Sequence, residues 1–170
     1  MIKGLHHNAY RCRDSEETRK FYEDFLGLPL ANAFEISETK SGRKTSVLHS
    51  FYQMDDGSFL AFFEAPGQPF EFKDQHDYDL HVALEVDNDA LHEMFAKGKE
   101  AGIDTRGVAD HGFVHSIYFR DPNGYVIELA ARTGKGEAES LEAANESARR
   151  ALTGWQSSKS QLRFFFRRFG

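Results

Sequence analysis

Residues 5–28 read LHHNAYRCRDSEETRKFYEDFLGL. A first β segment, roughly residues 3–13, runs into Asp14-Ser15-Glu16-Glu17. An oxygen-bearing side chain with Glu three positions on is a capping-box pattern, so a helix is expected to start there. Phe21, Phe25 and Leu26 supply its apolar face, and Gly27 is a good stop. The same order of signals returns at residues 79–88, DLHVALEVDN. LHVALEV, 80–86, reads as a strand, Asp87 caps a helix carrying Leu91, Met94 and Phe95, and Gly102 ends it. His7-Asn8-Ala9-Tyr10 matches His81-Val82-Ala83-Leu84, and each stretch leads into its capping aspartate.

Working outward, β segments are expected at about 29–37, 43–53 and 58–65 after the first helix, and near 105–109, 113–120 and 124–131 after the second. Asp56-Gly57 and Asp121-Pro122-Asn123-Gly124 are the turns before the last strand of each set. Those last strands open alike, Gly57-Ser58-Phe59-Leu60-Ala61 against Gly124-Tyr125-Val126-Ile127-Glu128. The order is βαβββ, linker, βαβββ, which marks an internal duplication of α+β class. Residues 1–132 form the body, as modules of about 1–66 and 78–132 joined by a polar linker, 67–77, in a Pro- and Gly-punctuated stretch. An Ala/Glu-rich extension, 133–154, is expected to hold a C-terminal helix, and the basic aromatic tail, 155–170, is expected to be disordered.

The 170 residues are 40% hydrophobic and 28% charged, an ordinary globular balance that supports one core. No apolar run approaches the ~20 residues of a membrane helix, and the first residues, MIKGLHH, have no signal-peptide character. A cytoplasmic protein with no membrane partner is expected. A single cysteine, Cys12, excludes a disulfide framework and a multi-cysteine zinc site. The net charge is −6, and the tail holds four basic residues and no acid, so the body is more acidic still. That argues against nucleic acid, which needs a concentrated basic face. Eight histidines are the unusual entry in the composition, because histidine is the commonest metal ligand and a proton carrier near neutral pH.

The stretches LHHNAYRCRDSEETRKFYEDFLGL, DLHVALEVDN and SIYFRDPNGYVIELAA, spread over residues 3–131, resemble the vicinal-oxygen-chelate superfamily. Its members include glyoxalase I, extradiol ring-cleaving dioxygenases, fosfomycin-resistance enzymes and methylmalonyl-CoA epimerase. The resemblance implies paired βαβββ modules whose eight strands form an open, barrel-like sheet around a metal cleft. It puts the metal ligands on His7, His81 and Glu128, and it implies a small-molecule substrate and a homodimer. Two imidazoles and a carboxylate suit Fe(II), Mn(II), Ni(II), Co(II) or Zn(II), with Fe(II) favoured here, rather than calcium.

Strand alternation sorts the neighbours of these ligands. A fourth ligand of the family would fall, by the repeat, on Ala61, which cannot bind metal. Glu64 is three residues on and points to the other face, and His6 alternates away from His7. Arg11 and Glu85, four residues after His7 and His81, share the metal-facing side. They are expected to line the cleft, pairing with each other or gripping a charged substrate. Phe59 and Phe63 flank Ala61 on that face as an apolar wall. The resemblance to extradiol enzymes makes His111 the candidate acid/base and Tyr118 its assistant, although Tyr118 lies one residue from the family's position.

The favoured function is therefore a non-haem Fe(II) ring-cleaving dioxygenase acting on a small aromatic or vicinal-oxygen substrate with O₂. A glyoxalase-like lyase or isomerase is the alternative, followed by a fosfomycin-type transferase or a non-catalytic small-molecule-binding resistance protein.

Overall fold

The computed structural model describes residues 1–134 and 141–169, with side chains described for 1–134 and 142–159. Among the described residues, strands β1 (His7–Cys12), β2 (Leu30–Glu38), β3 (Lys44–Gln53) and β4 (Phe59–Glu64) form one four-stranded sheet. Strands β5 (His81–Glu85), β6 (Thr105–Asp110), β7 (Val114–Arg120) and β8 (Val126–Arg132) form the other. Their orders are β1-β4-β3-β2 and β5-β8-β7-β6, the same path taken twice. In each, the first strand runs parallel to the last and the remaining neighbours are antiparallel. The fold is α+β, with two open βαβββ modules.

Register proves the duplication residue by residue. His7 pairs with Phe59 and Ala9 with Ala61, whereas His81 pairs with Val126 and Ala83 with Glu128. Ala61 therefore stands at the place of Glu128, as the sequence repeat implies.

Helix α1 (Ser15–Arg19) starts where the capping signal lies, and Asp14 accepts the Glu17 amide at 2.8 Å. The box is only half made, because the Glu17 carboxylate bonds Arg13 instead of reaching back. The chain then widens into a π-helical stretch, Lys20–Phe25, before Gly27 turns it at φ +85°. That widening turns Phe21, Tyr22 and Phe25 into the core together. Helix α2 (Asn88–Glu100) buries Leu91 against the second sheet.

Both helices lie on the faces of their sheets that share one core. Cys12, Tyr52, Leu60 and Phe62 meet Ile117, Phe119, Ile127 and Leu129 in a single cluster. Phe25 meets Phe119 edge-on at 5.2 Å, and Tyr10 lies 4.9 Å from Tyr125. With the core on the helix-bearing faces, the opposite faces, which carry His7 and His81, are left open.

The turn between β7 and β8 does more than reverse the chain. Asp121 and Asn123 are buried, Asn123 accepts the Arg13 amide at 2.8 Å, and the Tyr22 hydroxyl donates to Asp121 at 3.0 Å. The linker expected at 67–77 is pinned over the same turn, with the Lys73 amide donating to the Asn123 carbonyl at 2.8 Å.

Helix α3 (Leu141–Phe169) belongs to a second unit, residues 134–170. It runs on through the stretch expected to be disordered. No proline interrupts it, Gln, Lys, Leu and Arg sustain a helix already nucleated by Ala and Glu, and Gly154 costs only about 1 kcal/mol. Among the described residues no helix is long and apolar enough to cross a membrane.

Candidate metal centre

Strand pleating puts His81 and Glu128 on the open face of the second sheet. Glu128 is level with Ala83, and His81 is two residues before it on the neighbouring parallel strand. The diagonal brings His81 Nε2 to 3.3 Å from Glu128 Oε2. Each group is oriented from behind. His81 Nδ1 lies 2.7 Å from the Asp77 carbonyl oxygen, which can only accept, so Nδ1 carries a proton. The buried Ser116 hydroxyl donates to Glu128 Oε1 at 2.5 Å. What remains is an imidazole nitrogen facing a carboxylate oxygen. In neutral His81 those are two lone pairs, so the space between them calls for a proton or a cation. A second nitrogen held by a carbonyl is also how proteins orient a metal-ligating histidine.

Tyr118 is directly opposite Glu128 in the β7–β8 ladder, on the same face as Ser116. Its hydroxyl is 3.1 Å from His111 Nε2. Burial, with the Glu128 charge second, raises the Tyr118 pKa above its ordinary 10. The Arg106 guanidinium lies over the Tyr118 ring, 5.5 Å from its centre, and is held by both carboxylate oxygens of Asp77 at 2.8 and 3.1 Å. His111 and Tyr118, both singled out in the sequence, thus lie together beside the His81–Glu128 pair.

His7 is elsewhere, on the open face of the first sheet. Its Nδ1 is 2.7 Å from His6 Nδ1, and its ring lies 5.7 Å from Phe51 and 6.4 Å from His49. Among the described residues no three His, Cys, Asp or Glu side chains are grouped to hold a metal ion. Two expected ligands meet and the third does not join them within one chain. Around His7 the face is aromatic. His49 stacks on Phe63 at 3.7 Å and donates Nδ1–H to the Phe62 carbonyl at 3.0 Å; Phe51 meets Phe34 and Phe59, each at 5.9 Å.

Several expectations are corrected. His6 does not turn away from His7: its Nδ1 lies 2.7 Å from His7 Nδ1 at the very start of the ladder, where the His6 carbonyl accepts the Phe59 amide at 3.1 Å. Arg11 and Glu85 do not pair with each other. Arg11 bonds the Gln68 side chain, and Glu85 bonds Arg132 at 2.6 Å. Ala61 is fully buried between its neighbouring strands, so its methyl offers a substrate no surface in this chain. Glu64 does face away from the site, accepting the Ser15 amide at the start of α1 at 2.8 Å. Sequence reasoning missed Asp77, Arg106, Ser116, Phe51 and Phe34. Extending the repeat to the third strand of each module would have found two of these. Phe51 is level with Ala61 as Tyr118 is with Glu128, and His49 is level with Phe63 as Ser116 is with Ala130.

Residues 4–129 match the model of the Glyoxalase/Bleomycin resistance protein/Dioxygenase superfamily. Metallothiol transferase FosB of Shouchella clausii (strain KSM-K16) is 27% identical over 139 residues, covering 78% of this chain and 83% of the relative. A glyoxalase/dioxygenase from Nostoc punctiforme superposes with a TM-score of 0.58 at 22% identity, over 76% of this chain and 91% of that one. The fosfomycin resistance protein FosX from Listeria monocytogenes, complexed with Mn(II) and sulfate, gives 0.54 at 22% identity, over 85% and 98%.

Proposed function

Because the chain belongs to the Glyoxalase/Bleomycin resistance protein/Dioxygenase superfamily, we propose that it is a divalent-metal-dependent enzyme acting on a small, oxygen-bearing substrate. The observation that carries this is the His81–Glu128 pair, two donor atoms facing each other at 3.3 Å with both side chains fixed from behind. His7 is the third ligand and comes from a second copy of the chain, since the two open faces carry complementary parts of one donor set. His81 and Glu128, with His7 of the second copy, would hold a divalent cation, which would supply Lewis acidity toward a substrate oxygen.

The protein's own groups do the rest. His111 and Tyr118 share a hydrogen bond at 3.1 Å and can pass a proton to or from the substrate. The aromatic face around His7, with Phe51, Phe59 and Phe63, seats a flat apolar body beside the metal. Arg106 and Arg132 are committed to Asp77 and Glu85, which disfavours a strongly anionic substrate at this spot.

The relatives shift the reaction class. Likeness to a metallothiol transferase and to a Mn(II)-bound fosfomycin resistance protein supports group transfer and a Mn(II)-type metal. It lends nothing to the earlier preference for an Fe(II) ring-cleaving dioxygenase using O₂, or to a lyase. The deciding measurement is metal analysis of untagged protein. Stoichiometric transition metal is expected, and its loss in His81→Ala and Glu128→Ala. Absence from the wild type, or unchanged content in His81→Ala, sinks the reading. Oxygen uptake with a panel of catechols under Fe(II) would bring ring cleavage back.

A further inference from the structure

We infer that Asp77, in the segment between the modules, is a positioning residue that holds His81 in its ligating tautomer and seats the Tyr118 ring through Arg106. The inference rests on the metal-enzyme reading for its consequence, but its geometry stands alone.

Asp77 is used at both ends. Its main-chain oxygen accepts His81 Nδ1–H at 2.7 Å, leaving Nε2 to face Glu128. Its carboxylate takes Arg106 in a forked pair at 2.8 and 3.1 Å. Arg106 is level with Tyr118 in the β6–β7 ladder, and its guanidinium plane covers the Tyr118 ring. One residue outside the sheet thus ties a ligand on β5 to a proton carrier on β7.

The carbonyl that receives His81 belongs to a short turn. Within it, the Asp79 amide donates to His76 O at 2.8 Å, and the longer bond from Leu80 reaches the same oxygen at 3.4 Å. The Tyr78 amide also donates to His76 Nδ1 at 3.2 Å and Arg120 reaches the Gln75 carbonyl at 3.4 Å, and to these the forked Arg106 pair adds a restraint on Asp77 itself, next to the carbonyl that receives His81. Arginine suits this because its planar fork grips a carboxylate while its face remains free to stack on an aromatic ring. The forked geometry can itself add some stability, with the side chains of Arg106 and Asp77 43% and 24% exposed. A purely structural pair predicts a shift in unfolding and none at His81.

The experiment uses the full chain, metal-free, with ¹⁵N-labelled histidine, at a pH where imidazoles are neutral. Long-range ¹H–¹⁵N spectra read the His81 tautomer in the wild type, Asp77→Asn and Arg106→Gln, with Glu17→Gln as a control that breaks an exposed pair elsewhere. The wild type and the control should carry a proton on His81 Nδ1, whether or not Nε2 also holds one against Glu128. Asp77→Asn and Arg106→Gln should each move His81 toward a mixture with Nε2–H, and the double variant should go no further than either alone. Arg106→Lys should fail to restore the wild-type spectrum, since lysine has no fork. Titration with Mn(II) should then show affinity weakened by roughly 10-fold or more in both single variants, as for other groups that orient metal ligands. An unchanged tautomer in Asp77→Asn and Arg106→Gln overturns the inference. If the wild type takes up no Mn(II), the metal-enzyme reading fails while the tautomer still decides the role of Asp77.

Discussion

Asp121 is a carboxylate in a turn with almost no water, at 2% exposure. It accepts hydrogen bonds from the Asn123 and Tyr125 amides at 2.9 and 2.8 Å, from Asn123 Nδ2 at 2.9 Å and from the Tyr22 hydroxyl at 3.0 Å. Each favours the charged form, yet desolvation outweighs them and raises its pKa above the usual 3.8. The sign follows. A carboxyl raised on folding contributes stability that is full below the unfolded pKa and is lost as pH rises through the folded value. Asp121→Asn keeps an acceptor oxygen but opposes an amide to Asn123 Nδ2, so it should start about 1–2 kcal/mol less stable in acid. It escapes the loss at higher pH, and the gap to wild type should narrow as pH climbs from the ordinary Asp range toward neutrality. Urea unfolding in pH steps reads this, and parallel profiles for the two proteins refute it. The sequence marks this residue as a turn former and nothing more. Its burial depends on Tyr22, ninety-nine positions away, and no local pattern encodes that contact.

At the scale of elements the strands were legible, since a two-residue period bounded by Gly, Pro and Asp leaves little freedom over where they start and stop. β3, expected at 43–53, runs Lys44–Gln53, and β7, expected at 113–120, runs Val114–Arg120. The π-helical stretch was not legible, because its cause is tertiary: three aromatics on one short segment reach the same core. The linker is the sharper case. Its polarity is that of a free connector, but it lies against the β7–β8 turn, where a Cβ on Gly124 would stand 2.6 Å from the Lys73 backbone. Gly57, its repeat equivalent, has φ +81° and nothing within 4 Å of such a Cβ; Gly124 has φ +98°. Both glycines occupy backbone that a side chain strains, worth about 1–2 kcal/mol. Gly57→Ala should cost that much and no more. Gly124→Ala should cost a further ~2 kcal/mol or more, since backbone rather than a movable side chain blocks it. Thermal or chemical denaturation compares the two, and equal losses would mean that the linker yields freely.

For the whole molecule, the duplication explains both what could be read and what could not. Equivalent positions follow from a repeat, so His7, His81 and Glu128 could be assigned to matching faces before any coordinates. A repeat says nothing about how its two halves are set against each other. Here the core lies on the helix-bearing faces, and His7 stays on one open face while His81 and Glu128 share the other. If each centre takes His7 from one copy and His81 with Glu128 from the other, then His7→Ala and Glu128→Ala are defective in different parts of the same site. Neither homodimer should bind Mn(II) tightly. A mixture allowed to exchange subunits forms heterodimers in which one centre has lost both groups and the other has lost neither. Tight binding should then return at about one site per four chains when the exchange is statistical. Sites closed within single chains predict no recovery at any mixing ratio, because every chain in the mixture lacks a ligand. The readout separates the two assemblies even if both variants dimerise normally, and it needs no knowledge of the substrate.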